Sequence, residues 1–307
     1  MPKMHIDKSI EINAPSDKVF TTISDFHHWR PWSPWLVAEP EARVDIREDG
    51  KYYEWEGART GAGNMTVLKE SQNQSIDIDL TFLKPWKSTA KVYFKCEEQD
   101  GKTKVHWLMD SSLPFFMFWM KKSMTAFIGM DYERGLSMLK EYVETGKVRS
   151  QLNFKGYEDY PGCKFVGLKT ETLLADLGPK MSADLQTLGE FFADKKDVVA
   201  GKPFSIYHKW DMVNRKASYT SGIPVIEIPN DLPAGMISGE IPKTKVYTLQ
   251  HVGPYQHLGN AWSTINVMAR NKEIKAVGGI HPFETYVNMP GEVADEELIT
   301  EIHFAVK

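Results

Sequence analysis

Cysteine is nearly absent from the chain, which has only Cys96 and Cys163 among its 307 residues. Two isolated cysteines provide neither a disulfide framework nor the ligand set of a structural zinc site. The chain starts MPKMHIDKSIEINAP, which lacks the apolar segment and the small-residue cleavage site of a signal peptide. The sequence therefore predicts a protein of the reducing cytoplasm.

Long apolar runs and excess positive charge are also missing. The most apolar stretch, LPFFMFWM at residues 113–120, is far shorter than the ~20 residues with which a helix crosses a bilayer. Lys and Arg number 37 against 41 Asp and Glu, which gives a net charge of −4, whereas nucleic-acid-binding proteins usually have a basic face. We expect no nucleic-acid partner and no membrane partner, and the sequence leaves any protein partner open.

The motifs of common cofactor and catalytic sites are absent. The sequence has no GxGxxG, Walker A or HExxH motif, and no GxSxG motif between a predicted strand and helix. The glycine-rich segment GARTGAG at 57–63 lies between predicted strands and is typical of a hairpin. His27 and His28 are adjacent on a short predicted helix, where their side chains point apart. The sequence predicts no cofactor and no metal site, and it leaves open whether the protein is an enzyme.

The first half of the chain has the pattern of an α+β domain. Alternation predicts a strand over 6–12, and a short helix follows with Ser16 as its N-cap. About six short strands with turn signals between them occupy residues 42–111. A long amphipathic helix over 121–145 comes last, where it would cover the concave face of a curved antiparallel sheet. A cavity between such a sheet and its helix would be the physical basis for binding a ligand.

The second half repeats one pattern. The order strand, helix, strand, strand is predicted at 163–175, 180–196, 204–211 and 218–228, and again at 245–253, 254–272, 282–288 and 298–306. Two such β-α-β-β units would pack around a pseudo-two-fold axis with a cleft on it. Residues 149–162 lose periodicity and gather Gly, Pro and charge, which indicates a linker. We therefore predict domains at 1–148 and 163–307, joined by this linker.

The segments IEINAPSDKVFTTISDFHHWRPWSPW, YYEWEG, GAGNMTV and AFIGMDYERGLSMLKEYVE lie within about residues 3–147. They resemble the START-like, polyketide-cyclase-like superfamily (SRPBCC). The resemblance implies a helix-grip fold, in which an antiparallel sheet holds a long C-terminal helix, with an apolar cavity between them. Carriers, cyclases and stress proteins share this fold, so it implies no single function. The bulky Phe115, Phe116, Phe118 and Trp119 leave open the alternative that the cavity is filled.

The segments FSIYHKWD, YTSGIPV, HVGPYQHLGNAW and HPFETYVNMPGEVADEELITEI lie within residues 163–307. They resemble the GyrI-like effector-binding domain of AraC-type and multidrug-sensing regulators. The resemblance implies a cleft for bulky, often cationic aromatic compounds, with a central glutamate that Glu301 matches by its position in ELITEI. The chain departs from the family where Ala305-Val306 replaces a Pro-Val pair. No helix-turn-helix precedes this domain, so the resemblance implies ligand binding without transcriptional readout by this chain.

Glu301, Tyr255 and Trp262 are the main candidate ligand-binding residues. A carboxylate of Glu301 that faced the cleft would bind a cation, or would activate water in a hydrolase. Alternation places Glu301 opposite Ile302, so an outward-facing surface glutamate is the alternative. Tyr255 and Trp262 are seven residues apart on one predicted helix and share a face. They would form an aromatic wall that attracts a cation, and ordinary core packing is the alternative.

Three further residues are candidates for the same cleft. Tyr207 and Trp210 have opposite parity on one predicted strand, so only one of them can face the cleft. Tyr286 in FETYVN is a similar candidate. His251 lies at a strand end, where a histidine is more often structural than catalytic.

Three functions fit this pattern. The first is a binding protein whose second domain takes small apolar or cationic aromatic molecules, with a second possible apolar cavity in the first domain. The second is a hydrolase that opens strained, cyclopropane-bearing electrophiles with Glu301 as general base, while Tyr255 or Tyr207 polarises a carbonyl. The third is a ligand-responsive regulatory partner of a transcription factor. Binding and hydrolysis need the same residues, so only turnover separates them.

Overall fold

The structure, a computed structural model that describes residues 2–307, has an α+β architecture with two antiparallel sheets. The chain divides into two compact units, residues 1–149 and 150–307, and each unit contains one of the sheets. This confirms the α+β class that the alternating strand and helix patterns predicted.

The N-terminal unit is a seven-stranded sheet held against a long helix. In the order β1-β7-β6-β5-β4-β3-β2, its strands are β1 (Lys3–Ile12), β2 (Arg43–Ile46), β3 (Tyr52–Gly57), β4 (Gly61–Ser71), β5 (Ser75–Lys84), β6 (Ser88–Gln99) and β7 (Lys102–Ser112). Its helices are α1 (Ser16–Ser24), α2 (Pro34–Ala38) and α3 (Lys121–Thr145). Helix α3 ends at Gly146, whose φ of 82° is the left-handed cap that glycine adopts most easily. The unit therefore has the helix-grip arrangement that its sequence predicted.

Aromatic side chains fill the space between the N-terminal sheet and α3. Trp107 of β7 stacks on Tyr132 of α3 with ring centroids 4.1 Å apart. Trp29 and Trp32 pack their rings against Trp107 from the loop before α2, and all four side chains are buried. They occupy the region in which the sequence predicted a possible second cavity. The aromatic residues expected to fill that region, Phe115, Phe116, Phe118 and Trp119, are instead exposed, in a short 3-10 turn at 115–120 that precedes α3.

The C-terminal unit is an eight-stranded sheet with two helices. In the order β12-β9-β11-β10-β14-β15-β13-β8, its strands are β8 (Gln151–Tyr160), β9 (Cys163–Leu173), β10 (Phe204–Asp211), β11 (Lys216–Val225), β12 (Met236–Ile241), β13 (Thr244–Val252), β14 (Phe283–Tyr286) and β15 (Ile299–Ala305). The helices are α4 (Leu177–Phe191) and α5 (Gly259–Arg270).

Strand β8 lies where the sequence predicted a linker over 149–162. It pairs along its length with β13, and Leu152 and Phe154 pack partly buried against the core. The register shifts beside Gly156, whose φ is 92°, so one residue of β8 is unpaired. This bulge breaks the two-residue period by which a strand is recognised, and the linker prediction is therefore wrong for residues 151–160.

The duplicated unit of the C-terminal sheet is one strand longer than predicted. It reads β-β-α-β-β, from β8 to β11 and again from β12 to β15. The two copies meet where β10 pairs with β14, and Ser205 lies opposite Glu284 at the centre of that pairing. FSIY at 204–207 and FETY at 283–286 occupy equivalent positions around this point. The pseudo-two-fold axis therefore passes beside the Ser205–Glu284 pair.

Candidate functional site

A buried carboxylate stands on the pseudo-two-fold axis of the C-terminal sheet. Glu284 of β14 is 1% exposed and accepts hydrogen bonds from three aromatic side chains. The hydroxyls of Tyr207 and Tyr286 both donate to Oε1 over 2.7 Å, and the indole N–H of Trp262 donates to Oε2 over 2.7 Å. Tyr207 and Tyr286 are equivalent residues of the FSIY and FETY segments. The duplication thus aims two tyrosines at one carboxylate.

Burial dominates the electrostatics of this centre. It raises the pKa of Glu284, and the hydrogen bonds from Tyr286, Tyr207 and Trp262 offset part of that rise. Burial, and then the nearby carboxylate, raise the pKa values of Tyr207 and Tyr286 well above their usual range, so both hydroxyls keep their protons. The three donors are neutral, so they solvate an ionised Glu284 without cancelling its charge.

Both helices of the unit reach this centre. Trp262 projects from α5, while Met181 of α4 places its sulfur 2.7 Å from the hydroxyl oxygen of Tyr286. Tyr286 also lies 3.0 Å from the hydroxyl of Ser205, the residue that pairs with Glu284. The carboxylate is therefore enclosed by the sheet below and by one helix from each copy of the repeat.

Aromatic rings form a wall beside Glu284. Tyr207 stacks on Trp210 with centroids 4.7 Å apart, and Trp262 meets the Tyr207 ring edge-on at 4.7 Å. Tyr255 lies 6.0 Å from the ring of Tyr286 and is 36% exposed, so it marks the solvent side of the site. The structure thus brings together five residues that the sequence analysis names as candidates: Tyr207, Trp210, Tyr255, Trp262 and Tyr286.

Tyr207 and Trp210 face the same side, contrary to the argument from parity. On β10, Tyr207 pairs with Tyr219 and Lys209 pairs with Ser218, so His208 is an unpaired bulge residue. An extra residue reverses the alternation beyond it, which turns Trp210 back to the side of Tyr207. Alternation places Tyr207 and Trp210 on opposite faces only in a regular strand, and the bulge at His208 makes β10 irregular.

Glu301 does not belong to this cluster. The next residue of β15, Ile302, pairs with Glu284 and packs in the core with Trp262 of α5. The side chains of Glu284 and Ile302 therefore lie on the face of the sheet that the helices cover. Glu301 pairs with Thr285 on the other face. There its carboxylate accepts a 2.9 Å hydrogen bond from the ammonium of Lys155 on β8. The structure therefore corrects the assignment of Glu301 as the cleft acid, and Glu284 has that position.

The sequence contains one signal for Glu284 that strand and helix periodicity does not include. FSIY and FETY share an aromatic residue at each end with two residues between, and they start equivalent strands of the two repeats. At the symmetry centre, a residue of one repeat pairs with the equivalent residue of the other repeat. Glu284 pairs in this way with Ser205. Aligning the repeats to each other identifies this position.

Comparison with known proteins gives a family for each unit. The model of the polyketide cyclase / dehydrase and lipid transport family matches residues 3–144, and that of the GyrI-like small molecule binding domain matches residues 158–307. No curated protein matches the chain.

Each of the following solved structures covers about half of the chain. A Mesorhizobium loti protein is 12% identical over 47% of this chain and 99% of its own, with a TM-score of 0.37. The Aha1 dimer from Colwellia psychrerythraea is 17% identical over 47% of this chain and 98% of its own, with a TM-score of 0.35. The C-terminal domain of EcmrR is 19% identical over 52% of this chain and 98% of its own, with a TM-score of 0.38.

Proposed function

We propose that the C-terminal unit, which matches the GyrI-like small molecule binding domain, binds a small cationic aromatic molecule over Glu284. The N-terminal unit matches the polyketide cyclase / dehydrase and lipid transport family. Both families support a ligand-binding role. The main support for a cationic ligand is a fully buried carboxylate whose described hydrogen-bond donors are all neutral.

Charge and aromatic surface together select a cation. An ionised carboxylate in a site of low dielectric attracts a positive charge more strongly than the same group in water does. The faces of Tyr207, Trp210 and Trp262 carry negative quadrupole charge and attract cations at about 0.5–2 kcal/mol per ring. A flat ligand with delocalised positive charge uses both interactions, whereas a neutral ligand of the same shape uses only the rings.

Trp210 is the side chain that gives way most easily to a ligand. It is half-buried, and within residues 2–307 its indole nitrogen has no hydrogen-bond partner. Leaving a buried N–H unpaired costs about 1–3 kcal/mol, which rotation of the ring toward water would recover. Tyr207 and Trp262, in contrast, are held by their hydrogen bonds to Glu284. The proposed entry is therefore beside Trp210 and the exposed Tyr255.

A titration with rhodamine 6G, read by fluorescence anisotropy, tests this proposal. We expect saturable binding to the wild type and a loss of about tenfold or more in Glu284→Gln, which keeps the shape but loses the charge. Glu301→Gln is the matched control, because that residue lies on the other face of the sheet, and its affinity should stay that of the wild type. The neutral dye Nile red should bind the wild type, Glu284→Gln and Glu301→Gln with equal affinity. Equal rhodamine affinity in Glu284→Gln and the wild type would refute the charge-based site.

A second candidate function, hydrolysis of a strained electrophile, is favoured by the two tyrosine hydroxyls that meet one carboxylate oxygen. Glu284 would take the proton of an attacking water whose oxygen bonds to a ring carbon. The ring bond breaks, and its electron pair moves to a conjugated carbonyl that a tyrosine hydroxyl polarises. The enolate formed in this way then takes up the proton that Glu284 removed from water, which completes the addition of one water. Mass spectrometry of cyclopropane-bearing electrophiles should then show the addition of one water, lost in Glu284→Gln and kept in Glu301→Gln.

A further inference from the structure

A cluster of aromatic side chains stands exposed at one end of the N-terminal unit. Phe115, Phe116, Phe118 and Trp119 are 77%, 76%, 60% and 70% exposed and follow one another in the turn that leads into α3. Phe127, on α3, is 51% exposed. Single exposed apolar residues are common on protein surfaces, but a contiguous group of this size marks an interaction site.

The loop between β5 and β6 adds to the same end of the sheet. Phe82 pairs with Ser88 where this loop leaves the sheet, and Ala90 pairs with Ser111 close to where β7 ends. The loop and the turn at 115–120 therefore emerge from one end of adjacent strands. Trp86 in this loop is 48% exposed. We call residues 83–87, which end β5 and form the loop after it, together with the segment 115–122, the aromatic–basic patch.

The charge of the aromatic–basic patch has one sign. Residues 113–130 contain Lys121 and Lys122 without an acidic residue, and residues 80–92 contain three lysines without an acidic residue. Lys84 and Lys91 of the second segment form ion pairs with Glu56 of β3 and Asp79 of β5. Lys87, Lys121 and Lys122 are exposed. Aromatic rings with lysines beside them are the composition of a segment that lies in the interface of a bilayer.

We propose that the aromatic–basic patch binds the surface of an anionic lipid bilayer. Within residues 2–307, no helix is long and apolar enough to span a membrane, so the contact would be peripheral. The expectation of no membrane partner rested on spanning length, which a surface contact does not need. Anionic headgroups match Lys87, Lys121 and Lys122, while a second copy of the same patch would set these lysines against each other.

Vesicle flotation with the full-length protein tests the proposal. We expect wild type to float with vesicles of phosphatidylglycerol and phosphatidylcholine, about tenfold more than with phosphatidylcholine alone, and to release as salt is raised. Phe116→Ser/Trp119→Ser and Lys121→Glu/Lys122→Glu should each reduce flotation by about tenfold or more. The matched controls are Ile226→Ser, at an exposed apolar residue elsewhere, and Lys272→Glu/Lys275→Glu, at exposed lysines elsewhere, and both should float as wild type does.

Three outcomes would overturn the membrane assignment. The first is a wild type that floats with neither vesicle. The second is equal flotation of the wild type and both patch variants. The third is a wild-type dimer in sedimentation velocity that Phe116→Ser/Trp119→Ser dissociates, without vesicle binding, since that result assigns the patch to a second copy. The substituted side chains are exposed, so thermal melts of the variants should match the wild type and exclude misfolding as the cause.

Discussion

Glu284 makes ligand affinity depend on pH if it is the acid that holds a cation. Burial raises the pKa of Glu284 above the usual value of 4.5, so it takes up a proton at a higher pH than an exposed glutamate does. Protonation removes the charge, and cation affinity should fall as pH is lowered through that raised pKa. Rhodamine 6G titrations at several pH values check this expectation. Glu284→Gln should bind weakly and independently of pH, and a parallel fall in that variant would place the titrating group elsewhere.

His251 should make the C-terminal unit less stable in acid. Burial, and then nearby His257, lower the pKa of His251 from 6.5 to about 4, so the folded state keeps the ring neutral. The unfolded chain binds a proton below pH 6.5, so the stability contributed by the neutral ring is present above that pH and is lost as pH falls toward about 4. By this linkage the loss is about 2 kcal/mol at about pH 5.

Urea unfolding of the wild type and His251→Asn at several pH values measures this loss. The free energy of unfolding should fall with acid more steeply in the wild type, by about 2 kcal/mol between about pH 7.5 and about pH 5. His5→Asn is the matched control, because His5 lies in the N-terminal unit and its substitution leaves the interior of the C-terminal unit unchanged. Equal slopes for the wild type and His251→Asn would mean that His251 is not buried neutral.

At the residue scale, the sequence could identify which aromatic residues gather but not which carboxylate they surround. Tyr207, Trp262 and Tyr286 were selected from strand and helix patterns, and the structure joins them at Glu284. The position of Glu301 in a motif favours it as the acid, although alternation places its side chain on the opposite face of the strand from that of Ile302. Which face of β15 meets the helices depends on long-range packing, and local alternation carries no information about it.

At the element scale, helix α3 can approach the N-terminal sheet only because Gly135 has no side chain. A Cβ added there would lie 2.6 Å from the Trp107 ring and 3.1 Å from Pro34. Gly135→Ala should therefore lower the free energy of unfolding of the N-terminal unit by about 1–3 kcal/mol, as overpacking of a core does. Gly189→Ala on α4 is the matched control. Apart from the adjacent residues and the backbone of its own helix, no atom lies within 4 Å of its added Cβ, so helix propensity should stabilise the protein by up to about 1 kcal/mol.

Denaturant unfolding followed by tryptophan fluorescence checks this pair, because Trp107 reports the affected core. A Gly135→Ala variant as stable as the wild type would show that α3 can move away from Trp107 without cost. A destabilised Gly189→Ala variant would mean that helix propensity does not control stability at that exposed position.

The same scale shows which elements a local pattern can predict. Helix α3 and the hairpins of the first sheet follow from periodicity, because their own residues carry the signal. Strand β8 was missed because its bulge at Gly156 interrupts alternation and its partner, β13, lies far along the chain. An edge strand forms where a neighbouring strand has unpaired backbone N–H and C=O groups. The local sequence of the edge strand does not show where such groups are.

At the scale of the whole molecule, the two units use their interiors differently. The N-terminal unit packs Trp29, Trp32, Trp107 and Tyr132 between sheet and helix, where the sequence had left a cavity open. The C-terminal unit keeps a polar group, Glu284, at the centre of its helix-facing side. Whether a helix-grip interior is open or filled depends on ring packing across elements that are distant in sequence. The proposed ligand site therefore lies in the C-terminal unit.

A fragment of residues 150–307 should fold and bind rhodamine 6G with the affinity of the full chain. It contains the complete eight-stranded sheet with Glu284 and its three donors. A fragment of residues 163–307, cut where the sequence predicted the domain to begin, lacks β8. The backbone of β13 then becomes an unpaired edge beside β15, and Leu152 and Phe154 no longer cover the core. Size-exclusion chromatography and dye binding should show a monomer that binds for the longer fragment, and aggregation or weakened binding for the shorter one. Equal behaviour of both fragments would mean that β8 contributes nothing to the fold of the binding domain. If the longer fragment did not fold or did not bind the dye, the site would need residues before 150.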